Sequence, residues 1–313
     1  MSETGPVVVL AGGTGGAKLA RGMLDVVGPD GLVVVANTAD DTEIYGAYVS
    51  PDPDLITFWL ADMIDERGWG IDGDTFAVMD GLRELGVEVW FNLGDRDLAL
   101  GIERARRLRA GQRPTEAHAE LATRYGVTAR VLPMSDLPVR THVRARGRSW
   151  PFQEFMIKGR AEGPVDGVDF RGAANAQPTP EVLAAIAAAR AIVIGPSNPI
   201  ISIGPILAVA GMREALSQSP APVVAVSPLV GGSVLKPATV PFMAWAGHEL
   251  SASGVAGFYA GVIDGLVADE RTDAVPVLQT DVLMDGAGGR RRLAGEALGF
   301  ALGLGPGPSP ATG

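Results

Sequence analysis

Val7-Val8-Val9-Leu10-Ala11-Gly12-Gly13-Thr14-Gly15-Gly16-Ala17-Lys18 is the stretch from which the rest of the chain can be read. Five apolar residues in a row, without polar alternation, predict a strand buried on both faces. The glycines end it, residues 17–27 carry a helical pattern, and residues 32–36 form a second apolar run. Strand, glycine loop, helix and strand within about thirty residues make the βαβ unit of a parallel sheet. A glycine loop at this point lets a phosphate approach the backbone, with the N–H groups of the helix start aimed at it. The loop departs from two familiar templates. Leu19 stands where a P-loop needs Ser or Thr, and Lys18 takes the third glycine's place in G-x-G-x-x-G. A tight turn with no ligand is the plain alternative.

Working outward, helices are expected over residues 55–67, 75–85, 98–109 and 115–125, with a strand over 87–91. Residues 139–148 then alternate: Arg140, His142, Arg144 and Arg146 fall on one side, and Thr141, Val143 and Ala145 on the other. That pattern predicts an exposed antiparallel strand with a basic face. The α/β rhythm resumes with a helix over 181–190 and strands at 191–195 and 223–226. Helices are expected over 255–266 and 291–302, with a strand at 275–278. The fold class expected is α/β: a Rossmann-like parallel sheet with helices on both faces and a smaller inserted cap. Residues 1–136 and 173–304 would form the core, 137–172 the insertion, and 305–313 a loose tail.

The composition narrows the chemistry. A formal charge of −10 argues against a nucleic-acid scaffold, which would carry a basic surface. It leaves small anionic ligands open. With no cysteine, disulfides, thiolate catalysis and cysteine-based zinc sites are excluded. Neither a signal-peptide pattern nor a membrane-length apolar run is present, so a cytoplasmic protein without membrane contact is expected. His118, His142 and His248 lack metal-ligand spacing; His142, on the basic strand face, is the one candidate ligand contact.

Four further motifs sit where a parallel sheet binds ligands, beyond the carboxyl ends of its strands. Asn37-Thr38-Ala39-Asp40-Asp41 follows the second strand, and Asp40 would grip a ribose hydroxyl or the pair would hold Mg²⁺. Ser50-Pro51-Asp52-Pro53-Asp54 makes four Asp within fifteen residues, a costly collection unless a cation offsets it. Helix capping is the alternative for both. Leu93-Gly94-Asp95-Arg96-Asp97 offers Arg96 as a planar fork for an anion, or an internal Arg–Asp pair. In Gly195-Pro196-Ser197-Asn198-Pro199, Ser197 and Asn198 would read a ligand or merely form a turn.

The order of these motifs resembles the 2-phospholactate transferase family of coenzyme F-420 biosynthesis. The likeness extends through Trp69-Gly70, Asp74-Thr75-Phe76, Leu132-Pro133-Met134-Ser135-Asp136, Phe152-Gln153-Glu154-Phe155, Ser202-Ile203-Gly204-Pro205-Ile206 and Ser227-Pro228. The resemblance implies a Mg²⁺-dependent transfer in which the ribityl hydroxyl of a deazaflavin alcohol, Fo, attacks the acid-bearing phosphorus of a guanosine diphosphate ester and GMP leaves. The acid would be 2-phospholactate, phosphoenolpyruvate or 3-phosphoglycerate. It implies Asp54 and Asn92 as deazaflavin contacts, and Gly12, Gly13, Thr14, Gly15, Gly16, Lys18, Ser197 and Asn198 around the nucleotide. Asp40, Asp41 and Asp54 would hold the metal; Asp54, Asp40 and Arg96 would act in catalysis; a homodimer is expected. Two departures stand out: Pro53 and Leu55 replace a common Leu and Thr beside Asp54, and Asn92 is uncharged where relatives can carry Lys.

Two other classes fit parts of the pattern. A nucleotide-sugar-binding regulator of the gluconeogenesis-factor family would share the glycine loop and sheet without transferring anything. The residues 94–97 and 152–155 argue against it. An NAD-dependent oxidoreductase is disfavoured by the broken G-x-G-x-x-G.

Overall fold

A computed structural model describes residues 5–234 and 238–305. The chain begins β1 (Val7–Ala11), α1 (Gly13–Val27) and β2 (Leu32–Ala36), then a hairpin of β3 (Thr42–Ile44) and β4 (Ala47–Val49). Four helices follow, α2 (Pro51–Leu60), α3 (Ala77–Glu84), α4 (Asp95–Arg109) and α5 (Pro114–Arg124), before β5 (Arg130–Pro133). Next come β6 (Arg140–Ala145), β7 (Arg148–Pro151), α6 (Phe152–Ile157) and β8 (Val165–Arg171), and then α7 (Pro180–Ala188) and β9 (Ala191–Ile194). A wide helical turn (Pro199–Ile203) leads into α8 (Gly204–Ala208), α9 (Met212–Ser217) and β10 (Val223–Val226). The last elements are β11 (Leu229–Val230), β12 (Ser233–Val234), α10 (Thr239–Trp245), α11 (Ala252–Phe258), β13 (Gly265–Ala268), β14 (Val277–Gln279) and α12 (Gly286–Gly303).

Seven strands form one sheet in the order β14-β13-β10-β9-β1-β2-β5, every pair parallel. The continuous apolar runs are explained by burial on both sides. Val8, Leu10, Val33, Val35, Ile192 and Ile194 pack into one core with α7, α8, α9 and α11. Val7, Val9, Val34, Val193 and Val224 pack into the other with α1, α2 and α12. The expected α/β sheet is therefore present. β1 lies between β2 and β9, so the chain order reverses there, and the loops after these three strands open into one crevice. Beside that crevice β7, β6 and β8 make a small antiparallel sheet, tied to the loop after β2 by Thr141 N–H donating to the Ala39 carbonyl at 2.8 Å. Along β6, Thr141, Val143 and Ala145 are buried, as the alternation predicts.

Four expectations need correction. The helix expected over 55–67 spans 51–60 instead, and Asp62, in the left-handed region at φ 53°, follows its end. Residues 87–91 are not a strand: the N–H groups of Trp90 and Phe91 share the Tyr45 hydroxyl at 3.1 and 3.3 Å instead of joining a ladder. β5, at the sheet edge, was not anticipated, because Arg130 and Pro133 interrupt so short an apolar run. The helix expected over 255–266 is two elements; α11 ends at Phe258, the chain turns through Gly261 at φ 74°, and β13 follows. The expected tail beyond residue 305 lies outside the described residues. Among the described residues no helix is long and apolar enough to cross a membrane.

Candidate active site

The glycine loop is built first by packing. A Cβ on Gly12 would lie 2.7 Å from the Ser202 carbonyl oxygen, and one on Gly16 2.8 Å from the Ser197 hydroxyl; a Cβ on Gly15 would overlap the Pro196 carbonyl. The loop is thus pressed against the 195–202 turn, and Ser197 donates its hydroxyl to the Gly12 carbonyl. Asn198 accepts the N–H groups of Ile200 and Ile201 at 2.9 and 3.2 Å, capping the turn. Ser197 and Asn198, expected to read the ligand, are largely engaged in holding the loop. Gly13 needs glycine for another reason, its φ of 59°.

Behind the loop stand the aspartates. Asp52 accepts the Gly13 N–H at 2.7 Å and the Asn37 amide at 2.9 Å, so a carboxylate already sits at the start of α1. Asp41 accepts hydroxyls from Ser50 at 2.7 Å and Tyr48 at 3.0 Å. Burial pushes its carboxyl up to about 7, against the pull of Arg140. Asp54 is gripped at both oxygens by Arg104, which also donates to the Tyr48 carbonyl at 3.1 Å. Burial pushes the Asp54 carboxyl up, with Arg104 opposing. Asp40 is buried, and one of its oxygens has no partner. Burial, then the neighbouring Asp52 and Asp41, push its carboxyl well above the ordinary range. The motif 50–54 is thus the first turn of a helix; Pro51 and Pro53 sit where a missing N–H breaks no helical bond.

Two cavities meet this cluster. One is walled by Phe58, Trp69, Phe76 and Phe91, with Asp52, Asp54, Asn92 and Asp97 as polar groups. Asp97 is pushed up to about 7 by burial and then by Asp54. The other lies between the β3–β4 hairpin and the small sheet, lined by Asp40, Asp41, Trp90, Arg140, Thr141, His142 and Gln153 among others. Trp90 and Phe91, stacked at 5.7 Å between ring centres, form the partition.

Sequence similarity gives this arrangement a family. Residues 7–285 match the family described as 2-phospho-L-lactate transferase CofD. The chain belongs to that family. A 2-phospho-L-lactate transferase of Methanosarcina mazei is 41% identical over 269 residues, 86% of this chain and 88% of that protein. A phosphoenolpyruvate transferase of Kitasatospora aureofaciens is 40% identical over 298 residues, covering 88% and 93%. One from Streptomyces griseus is 39% identical over 308 residues, covering 92% and 97%. The expectation of a transferase of this family is therefore met. Among solved structures, protein BH3568 of Bacillus halodurans shares the fold, with a TM-score of 0.57 at 20% identity, 88% of each chain being covered.

For this family member the structure places the expected site residues unevenly. Asp54 and Asn92, far apart in sequence, line the same aromatic cavity. Asp40, Asp41 and Asp54 do not converge. Arg104 takes one, Ser50 and Tyr48 another, and among the described residues no three acidic or histidine side chains form a metal cage. Arg96 is exposed and lines neither cavity, its guanidinium donating to the Asp72 carbonyl at 3.3 Å. Asp95 caps α3 through the N–H groups of Ala77 and Val78, both at 3.0 Å, and Asp74 takes the Arg96 N–H at 2.9 Å at the start of α4. Residues 94–97 are thus mainly a joint between two helices. Lys18 lies half-buried over the Trp59 ring, 5.7 Å from its centre, and Thr14 faces Gly68. His118 is buried, with Nε2 3.3 Å from the Thr57 hydroxyl, and His248 packs edge-on against Phe258.

Sequence reasoning missed Arg104 and Tyr48, and it quoted Asp97 and Ser202 within motifs without giving them a role in the site. Arg104 sits in an arginine-rich run that reads as a solvated helix face. Its phase gives it away, since it shares the buried face with Leu98, Gly101 and Ala105. Ser202 packs against Gly12 and Gly13 from 190 residues downstream, a proximity no local pattern signals.

Proposed function

We propose that this family member acts in coenzyme F-420 biosynthesis, moving a phospho-organic-acid group from its guanosine diphosphate ester to the ribityl hydroxyl of Fo. The hydroxyl oxygen forms a bond to the acid-bearing phosphorus, the bond from that phosphorus to the GMP oxygen breaks, GMP leaves, and the hydroxyl proton passes to solvent. The observation that carries this reading is the aromatic cavity opening on Asp52 and Asp54 beside the glycine loop. Phe58, Trp69, Phe76 and Phe91 offer flat apolar surface to a tricyclic ring, as small-molecule sites generally do. Asp54, locked by Arg104, presents a fixed acceptor to the ribityl hydroxyl, and Asn92 closes the polar rim. The diphosphate lies over the start of α1, near Gly13 and Ser202.

Mg²⁺ fits the residues present. Asp40, with an unpartnered buried oxygen, and Asp52 beside it suit an ion that takes one or two carboxylates and fills its shell with phosphate and water. When bound it would neutralise charge developing on the phosphates. The reading retains a cytoplasmic homodimer, and sedimentation equilibrium distinguishes one chain from two.

Incubation with Fo, Mg²⁺ and the three candidate esters tests the reading, with GMP and the phosphodiester followed by mass spectrometry. Product with at least one acid is expected. No product with any acid, together with tight binding of a UDP-sugar, would replace the transferase by the regulator.

A further inference from the structure

We infer that the second cavity holds the carboxylate of the donor's organic acid, with Arg140 as its main ligand. The inference rests on the transferase reading, because it is the other end of the same donor that it places. Phosphorus at the acidic cluster has the aromatic cavity on one side, where the attacking hydroxyl belongs. The space on the other side is this cavity, between the β3–β4 hairpin and the small sheet.

Arg140 is half-buried on β6 and donates to the carbonyls of Val139 at 2.7 Å and Thr38 at 3.4 Å, and to the Tyr48 hydroxyl at 2.9 Å. All three partners are neutral. Among the described residues no carboxylate lies within ion-pair distance of it. A guanidinium has five N–H donors, so two remain for a ligand. Thr141, only 2% exposed, also lines the cavity, its hydroxyl set beside the Asp40 carboxyl. His142 and Gln153 add donors at the rim.

Four carboxylates line the same space, and none of them pairs directly with Arg140. Asp41 is held by Ser50 and Tyr48, Glu154 pairs with Arg148 at 3.6 Å, Glu43 is exposed, and Asp40 is the proposed metal ligand. Arg140 is the one cation among the cavity's lining residues; Asp41 feels its charge but meets it only through the Tyr48 hydroxyl. The candidate acids all carry a carboxylate, and Trp90 and Phe152 leave an apolar wall for their short carbon chain.

The test compares two guanosine diphosphate esters in the absence of Fo, with Mg²⁺ present: that of lactate and that of propan-2-ol, which replaces the carboxylate by a methyl group. Isothermal titration with the full chain is expected to show the lactate ester binding roughly 10- to 100-fold more tightly, the range of one charge-assisted contact. Arg140→Gln should erase that preference. Gln153→Leu, at the half-buried rim and so a safeguard against a folding defect, should reduce it about threefold to tenfold. Equal affinities in the unaltered protein, or a preference that survives both substitutions, would overturn the inference. An equal loss for both esters would overturn it too, since Arg140 would then be holding phosphate. GMP release on adding Fo is read separately; a carboxylate preference without turnover would support this subsite and sink the transferase reading alone.

Discussion

Removing one member of the Asp54–Arg104 pair should damage the fold more than removing both. The two side chains are 5% and 4% exposed, and Arg104 reaches both carboxylate oxygens. Breaking a buried pair from one side leaves an uncompensated charge and costs about 3–5 kcal/mol, whereas an apolar replacement of both is often close to neutral. Arg104→Met and Asp54→Leu should therefore each cost about 3–5 kcal/mol, and the double variant much less than their sum. Against a total stability of order 5–15 kcal/mol, either single change brings the chain near unfolding. A loss of turnover in Asp54→Ala would then report partial unfolding as well as chemistry. The double variant separates the two. Urea denaturation followed by tryptophan fluorescence gives the four stabilities, and GMP release is measured on the same samples. The double variant is expected to stay folded with transfer reduced at least about 100-fold, the loss of an orienting contact. Additive losses, or single losses below about 1 kcal/mol, would refute the buried-pair reasoning; near-normal turnover in the folded double variant would take Asp54 out of the mechanism.

Two further outcomes are expected. Burial, and then Arg104, push the His118 imidazole down to about 3, so the native state keeps it neutral while the unfolded chain takes up a proton below about 6.5. Stability from this group is therefore complete above pH 6.5 and falls with acidification, by about 2 kcal/mol at pH 5. His118→Gln should shrink the difference between pH 7 and pH 5 by that amount in urea titrations, and parallel curves for the two proteins would rule it out. Comparison with the parent protein is needed because Asp41 and Asp97, pushed up to about 7, act in the opposite direction. Finally, GDP should bind at least about tenfold more weakly after EDTA treatment than with Mg²⁺, as expected when a bridging ion is lost; equal affinities by calorimetry would exclude a metal bridge.

The fold was legible where burial is strongest. β1, β2, β9 and β10 are covered on both faces, so their sequence has no polar interruption to confuse the reading. Legibility failed at the edges. β5 is short and begins with exposed Arg130, and residues 87–91 have strand composition but no neighbouring strand to join. The site was legible by neighbourhood and less so by role. Asp40, Asp41 and Asp52 do come close enough to feel one another's charge, because strand ends and a helix start are positions the pattern fixes, while Asp54 faces the other cavity. Which carboxylate meets Arg104 depends on the packing of α4 against β4, and local spacing carries no trace of that.

The place of Asp52 changes the meaning of the glycine loop. An ordinary phosphate-binding helix start offers free N–H groups to an incoming anion. Here the Gly13 N–H is already given to Asp52, which also holds the Asn37 amide, so the first anion at the helix start belongs to the protein. A diphosphate approaching this loop meets a carboxylate and its neighbour Asp40 as well as backbone donors. Direct contact would be repulsive; a divalent cation held by these aspartates would offset that charge. The imperfect match to phosphate-loop templates follows from the same cause. A P-loop adds a lysine that reaches the phosphates, whereas Lys18 here lies over Trp59. In this chain a metal held by aspartates from the neighbouring strand end and helix start would take the place of that lysine, which makes donor affinity a property of the ion and the loop together.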